Sequence, residues 1–199
     1  MPEAGARKRV MPPMQGKVPR FVCGVITCII VVVGLVVLIA WLSLQPHKPK
    51  YYLEYGSASF LKVSDDGMVS AKMQFNLTTR NSNKKIGIYY DRIAVMMSYD
   101  GDYFAWGSML PFYQHHKNTT YLHTNLYGEM VNLQGAKSHD LRLEHSSGKV
   151  DLVLEVYASV RFKVGSWKSG HYTLRVKCRN AKLDVTNGTF QRTKCKVKV

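Results

Sequence analysis

Histidine supplies the one cluster in this sequence that invites a metal-binding reading: His115, His116 and His123, with His139 and His145 further on. A metal site needs several such nitrogens converging on one point. Adjacent residues on a strand or loop point apart, so His115 and His116 are badly placed to share an ion, and solvated loop histidines are the ordinary outcome. Paired carboxylates are the other candidate, since Asp65 with Asp66, or Asp100 with Asp102, could act as the acid and nucleophile of a glycosidase. These pairs flank glycines, however, where aspartate is favoured for its hydrogen bonds to nearby backbone. The sequence contains no serine-hydrolase elbow, P-loop, dinucleotide fingerprint, HExxH or CxxC. The expectation is a chain without catalytic residues, metal ligands or cofactor.

Charge offers more than catalysis does. Tyr172, Leu174, Val176 and Cys178 alternate with Thr173, Arg175, Lys177 and Arg179, and Cys195, Val197 and Val199 alternate with Lys194, Lys196 and Lys198. On neighbouring strands, Arg175, Lys177, Arg179, Lys194, Lys196 and Lys198 would share one outer face. Like charges across strands are destabilising unless something anionic covers them. That face is the candidate contact for headgroups or anionic polymer; the competing role for such lysines is to protect an edge strand from aggregation. On the inner face the same alternation places Cys178 and Cys195, the only two cysteines after residue 50.

The elements that position these residues have period two. Val69, Ala71, Met73, Phe75 and Leu77 alternate with polar residues, as do Leu152, Leu154, Val156, Ala158, Val160, Phe162 and Val164. Asp66-Gly67, Asp100-Gly101, Ser147-Gly148 and Asn187-Gly188 supply turns between such runs. The spacing predicts an antiparallel β-sandwich of immunoglobulin or fibronectin-III type over residues 51–199. Register bears on the cysteines: a two-residue loop at Asn187-Gly188 would put position 178 opposite 197, two residues out of step with Cys195. Either a bulge or longer loop intervenes, or the bridge is absent.

Ahead of this domain, Phe21 to Leu44 carries no charged residue. As a helix it would span ~36 Å against ~30 Å of hydrocarbon, which makes it a transmembrane segment. Its length and the sequence Leu42-Ser43-Leu44 fit a cleaved signal poorly. Arg7, Lys8, Arg9, Lys17 and Arg20 precede it, and the positive-inside rule then leaves residues 1–20 as a disordered cytosolic tail and residues 45–50 as a short stalk. The result is a type II single-pass protein. Cys23 and Cys28, in the cytosolic half of the helix, are plain thiols or palmitoylation sites. An oxidising compartment favours a Cys178 to Cys195 disulfide. Sequons at Asn76, Asn118 and Asn187 all lie beyond the helix, as glycosylation outside the cell requires.

The chain holds 28 Lys and Arg against 13 Asp and Glu, a formal charge of +15. With the charged domain outside the cell, nucleic acid is excluded as a partner in favour of phospholipid headgroups or acidic polysaccharide. Tyr103, Phe104, Trp106, Phe112, Tyr113 and Tyr121 sit near loops, where aromatics serve either core or a protein-binding surface.

Three stretches resemble a known family: Arg80 to Asp91 (RNSNKKIGIYYD), Pro111 to Thr120 (PFYQHHKNTT), and Val160 to Trp167 (VRFKVGSW) with Tyr172 to Cys178 (YTLRVKC). They are similar to the plant harpin-induced-like proteins, also called NHL proteins, which carry a late-embryogenesis-abundant group 2 domain. Ser82 stands where the family usually has Pro, and His115 or His116 where it commonly has Gly. The resemblance implies a single-pass plasma-membrane protein of a land plant, with plasmodesmata as a permitted subdomain, acting in defence and stress responses through a β-sandwich outside the cell. It implies no catalytic residues. The leading functional expectation is binding to other membrane or cell-surface proteins, itself included; the alternative is tethering to anionic wall polymer or lipid through the basic face.

Overall fold

The computed structural model describes residues 17–44 and 47–199, with the side chains of the first helix described over 21–39. It divides after Gln45 into two units. The first is α1, Lys17–Leu44, whose residues Phe21–Ile39 form a helix long and apolar enough to cross a membrane. Cys23 and Cys28 lie on it unbonded. Residues 17–20 of the expected disordered tail are helical, because α1 begins at Lys17, and Lys50 of the expected stalk is the first residue of a strand; the rest of the 1–20 tail, with Arg7, Lys8 and Arg9, and Gln45 and Pro46 of the stalk lie outside the described residues.

The second unit is built from β1 (Lys50–Val63), β2 (Met68–Arg80), β3 (Ile86–Tyr99), β4 (Asp102–Met109), β5 (Phe112–Gln114), β6 (Thr119–Asn132), α2 (Lys137–Ser146), β7 (Lys149–Val164), β8 (Trp167–Lys168), β9 (Tyr172–Asp184), β10 (Thr189–Phe190) and β11 (Thr193–Lys198). All pairings among the described residues are antiparallel, and they run β1, β2, β6, β4, β3, β7, β9, β11 and back to β1. The antiparallel β architecture read from the alternation is therefore what forms, with its layers hydrogen-bonded to one another at both margins.

One margin is a single pair, Trp106 opposite Tyr127. It closes because neighbouring glycines let two backbones approach: a Cβ on Gly128 would stand 1.7 Å from the Phe104 carbonyl oxygen. At the other margin β11 is shared, its first half paired with β1 and its second with β9. Inside lies one continuous apolar core, in which the alternating residues Val69, Ala71, Met73, Phe75 and Leu77 are buried beside Leu152, Leu154, Val156, Ala158 and Val160.

Three details depart from the simple alternation. Asn180 takes a left-handed φ of 59°, the β7–β9 register shifts nearby, and inward parity passes from Cys178 to Ala181. Tyr172 and Val199, at strand ends, are exposed rather than inward. Ser147-Gly148 ends a helix instead of joining two strands: the Ser147 and Gly148 amides donate to the carbonyls of Leu143 and His145 at 3.0 and 3.2 Å, the glycine stop typical of a helix C-terminus.

Candidate functional site

The site starts from a register. β9 and β11 pair Lys196 with Lys177, Val197 with Val176 and Lys198 with Arg175, and the same register sets Cys195 opposite Cys178. It arises because β9 and β10 are joined by four residues, 185–188, between the paired Asp184 and Thr189, rather than by a two-residue turn at Asn187-Gly188. Thr186 and Asn187 donate backbone N–H groups to the Asp184 carboxylate at 3.0 and 3.4 Å, and that widens the loop. The two sulfurs are bonded, with Cα atoms 4.1 Å apart. Strand parity then fixes the rest: the cysteines face the core, and the cations face out directly above them.

The outer surface forms a concavity of about 350 Å³ lined by Tyr103, Tyr157, Arg175, Lys177, Arg179, Lys196 and Lys198, with Glu155 at its floor. Glu155 comes from β7 and is only 8% exposed. Lys177 Nζ lies 2.6 Å from its carboxylate, and the Tyr157 and Tyr103 hydroxyls donate to it at 2.9 and 3.2 Å. Burial pushes the Glu155 carboxyl up, but the Lys177 ammonium and the Tyr157 and Tyr103 hydroxyls outweigh it and hold the group below the usual glutamate range. The Tyr103 hydroxyl is pushed up, first by its hydrogen bond with Tyr157, then by burial and by the Glu155 charge.

Glu155 thus neutralises one cation of the six, and Arg175 stacks on the Tyr157 ring at 5.3 Å. Arg179, Lys194, Lys196 and Lys198 make no ion pair among the described residues. β9 is no edge, since it lies between β7 and β11, whereas on β11 Lys194 pairs only with β1, and Lys196 and Lys198 only with β9. Such a surface can hold a row of carboxylate, sulfate or phosphate groups.

The other sequence candidates are dispersed. His115 and His116 are exposed in the turn before β6, with the His115 ring edge-on to Tyr113 at 4.6 Å. His123 Nδ1 sits 2.7 Å from Asn76 Oδ1 on the adjacent strand, and His139 and His145 ride on α2. No group of three potential metal ligands occurs among the described residues. Each aspartate is occupied by structure: Asp65 binds Arg142 at 2.8 Å, Asp66 accepts the Met68 amide at 3.3 Å, and Asp102 accepts Lys137 and the Gln134 amide, both at 3.0 Å. Asp100 and Gly101 form a two-residue turn with φ of 43° and 88°. Asn76, Asn118 and Asn187 are all exposed.

Of the loop aromatics, Phe104 is core, Phe112 stacks on Tyr90 and Tyr113 leans on Tyr89, whereas Trp106 and Tyr121 are exposed. Sequence reasoning missed a row that crosses four strands in register, Phe60 to Lys72 to Tyr127 to Trp106. It also missed the asparagine clasp at the start of the domain. Asn83 donates to the His47 carbonyl and accepts the His47 amide, and Asn81, buried beside it, donates to the carbonyls of Ile86 and His115. Both asparagines lie in the motif Arg80 to Asp91 noted above. Two polar residues so close to a strand's end were the available signal.

Residues 76–180, from mid β2 to mid β9, match the late embryogenesis abundant protein family in its LEA_2 form. Among curated proteins, the chain is 34% identical to NDR1/HIN1-like protein 10 of Arabidopsis thaliana, over 83% of its own length and 74% of that protein's. It is 31% identical to NDR1/HIN1-like protein 12 (79% and 76%) and 31% identical to NDR1/HIN1-like protein 3 (87% and 78%), both from the same plant. A crystal structure of a protein from Archaeoglobus fulgidus aligns with 64% of this chain and 96% of that one, at 14% identity and a TM-score of 0.32. With its apolar helix followed by this β-domain, the chain is a stress- and defence-related plant protein of the NDR1/HIN1-like group and belongs to the LEA_2 family.

Proposed function

We propose that this is a non-enzymatic, type II protein of the plasma membrane whose β-domain lies outside the cell and works by binding, and that the β9–β11 face takes an acidic polysaccharide. The observation that carries the ligand class is the register pairing Lys196 with Lys177 and Lys198 with Arg175 on two adjacent strands, with only Lys177 of the six cations of the face paired to an acid among the described residues. Repulsion built into such a strand pair is relieved by a bound polyanion.

The test is retention of the detergent-solubilised full chain on immobilised polygalacturonate against a neutral glucan. Wild type is expected to bind only the acidic polymer, more weakly as salt rises, and a variant with Arg179, Lys194, Lys196 and Lys198 changed to Glu is expected to lose retention while keeping the Lys177–Glu155 pair. Equal retention of the variant would remove this reading. Side of the membrane is tested separately, by the mobility shift on glycosidase treatment of the protein from plant cells, which should shrink when Asn118 becomes Gln.

A second reading, binding to another cell-surface protein, rests on the row Phe60, Lys72, Tyr127 and Trp106. These side chains are exposed in register across β1, β2, β6 and β4, and aromatics of this kind anchor protein interfaces. It predicts that Trp106→Ala with Tyr127→Ala abolishes co-purification of a membrane partner while polygalacturonate retention persists.

A further inference from the structure

The β-domain has two ends of opposite charge. Residues 47–50, 80–87, 112–121 and 161–172 gather at the end where β1 begins: Lys50 pairs with Arg80, Arg80 with Thr119 and Ile86 with Val164, and the Lys117 amide donates to the Asn83 carbonyl at 3.0 Å. Those segments hold nine Lys and Arg and no acid. Residues 62–68, 99–103, 129–151 and 182–189, at the opposite end, hold nine acids and five Lys and Arg. Within the cationic end, Arg161 is engaged by Asp91 through bonds of 2.6 and 2.8 Å. Lys163 pairs in register with Lys168, one like charge against another.

Two further features share that end. Trp167, at the tip of the β7–β8 hairpin, is 64% exposed, although tryptophan in water is costly and in a headgroup region is favoured. Beside it a concavity of about 530 Å³ is lined by Lys84, Tyr113, His116 and Lys163. The chain also enters here: three peptide links separate Leu44, the last residue of α1, from His47, at most ~11 Å of chain. If α1 anchors in a bilayer, the domain's cationic end begins within about a Debye length of the headgroups.

We propose that this end docks on anionic phospholipid headgroups of the leaflet from which α1 emerges, with Trp167 entering the interface and Lys84, Lys163 and Lys168 facing the phosphates. The inference rests on α1 being a membrane anchor. It is independent of the β9–β11 face and of what that face binds.

The experiment uses the full chain with Trp41→Phe and Trp106→Phe, so that Trp167 alone fluoresces, reconstituted into nanodiscs carrying a headgroup-nitroxide lipid. Carbonate extraction beforehand reports on the anchor by itself, and release of the chain would overturn the anchor and the docking together. With the anchor in place, quenching of Trp167 is expected to be stronger when phosphatidylcholine is doped with phosphatidylglycerol. It should return to the phosphatidylcholine value in high salt and in the variant Lys84→Glu, Lys163→Glu, Lys168→Glu. Equal quenching in both lipids, or a triple variant that still responds to phosphatidylglycerol, would overturn docking alone. A matched variant at the acidic end, Lys62→Glu, Lys149→Glu, Lys182→Glu, should leave quenching unchanged; a comparable loss there would reduce the effect to net charge and also overturn the proposal.

Discussion

Asn83 and His47 hold each other twice: the asparagine amide donates to the His47 carbonyl at 2.8 Å, and its oxygen accepts the His47 amide at 2.7 Å. The same Asn83 amide reaches the Asn81 carboxamide oxygen at 2.9 Å, so the segment preceding β1 is fastened to the β2–β3 loop by side chains rather than by a strand ladder. Replacing Asn83 with Ala strands those partners, and a polar group left unpaired costs ~1–3 kcal/mol. Asn83→Ala is expected to lower stability by about 2 kcal/mol in urea unfolding of the solubilised chain. The His47 amide should lose its protection from hydrogen exchange. Unchanged protection would mean the segment is held in another way.

The Cys178–Cys195 bridge closes a sequence separation of 17 residues. In the chain-entropy model a loop near this size is worth ~3 kcal/mol through restriction of the unfolded chain. Dithiothreitol should therefore destabilise the wild type by about that amount and leave the double variant Cys178→Ala, Cys195→Ala unmoved. Non-reducing peptide mapping checks the pairing itself, and a reductant-insensitive wild type would contradict it.

Closure of the ring at β4 and β6 depends on Gly128. A methyl group there meets the Phe104 backbone oxygen, which no side-chain rotation can relieve, whereas a Cβ on Gly170 meets nothing within 4 Å. Overpacking of this kind costs ~1–3 kcal/mol and sometimes more. Gly128→Ala is expected to lose about 3 kcal/mol or to fail to fold, and Gly170→Ala to lie within about 0.5 kcal/mol of wild type. Parallel thermal melts decide it, and equal melting of the two variants would show that the margin need not close.

What the sequence made legible was whatever depends on parity. Burial of Val69 to Leu77 on one face, the inward pair Cys178 and Cys195, and the outward cations above them all follow from a period of two. Register was not legible, because it turns on loop length: Asp100-Gly101 is a true two-residue turn, while Asn187-Gly188 sits inside a four-residue loop shaped by the Asp184 carboxylate. α2 gave no apolar stripe, since it buries only Leu141 and has no side-chain N-cap. Its support is tertiary: the Tyr99 hydroxyl bonds Glu144, while Arg142 and Lys137 reach Asp65 and Asp102. The floor of the basic groove was hidden for a related reason. Glu155 reads as one more outward residue of β7, and only the packing of Tyr103, Tyr157 and Lys177 around it makes it buried.

That floor predicts a pH dependence. Because the Glu155 carboxyl is held below its ordinary value of 4.5 in the folded chain, its contribution to stability is complete above that value. It is lost as pH falls through the lower folded value. Lys177→Met removes the cation that most opposes burial, leaving a desolvated carboxylate that disfavours folding at neutral pH. The Lys177 side chain is 41% exposed, so the cost is discounted for solvent screening to about 1–2 kcal/mol. Protonating Glu155 removes what Lys177 pairs with, so the stability gap between wild type and Lys177→Met should narrow as pH drops from neutral to below 4.5. In a Glu155→Gln background the same substitution should open no pH-dependent gap. Urea titrations across that range are the measurement, and a gap of constant size in the wild-type background would mean that the Lys177 ammonium does not control the Glu155 carboxyl.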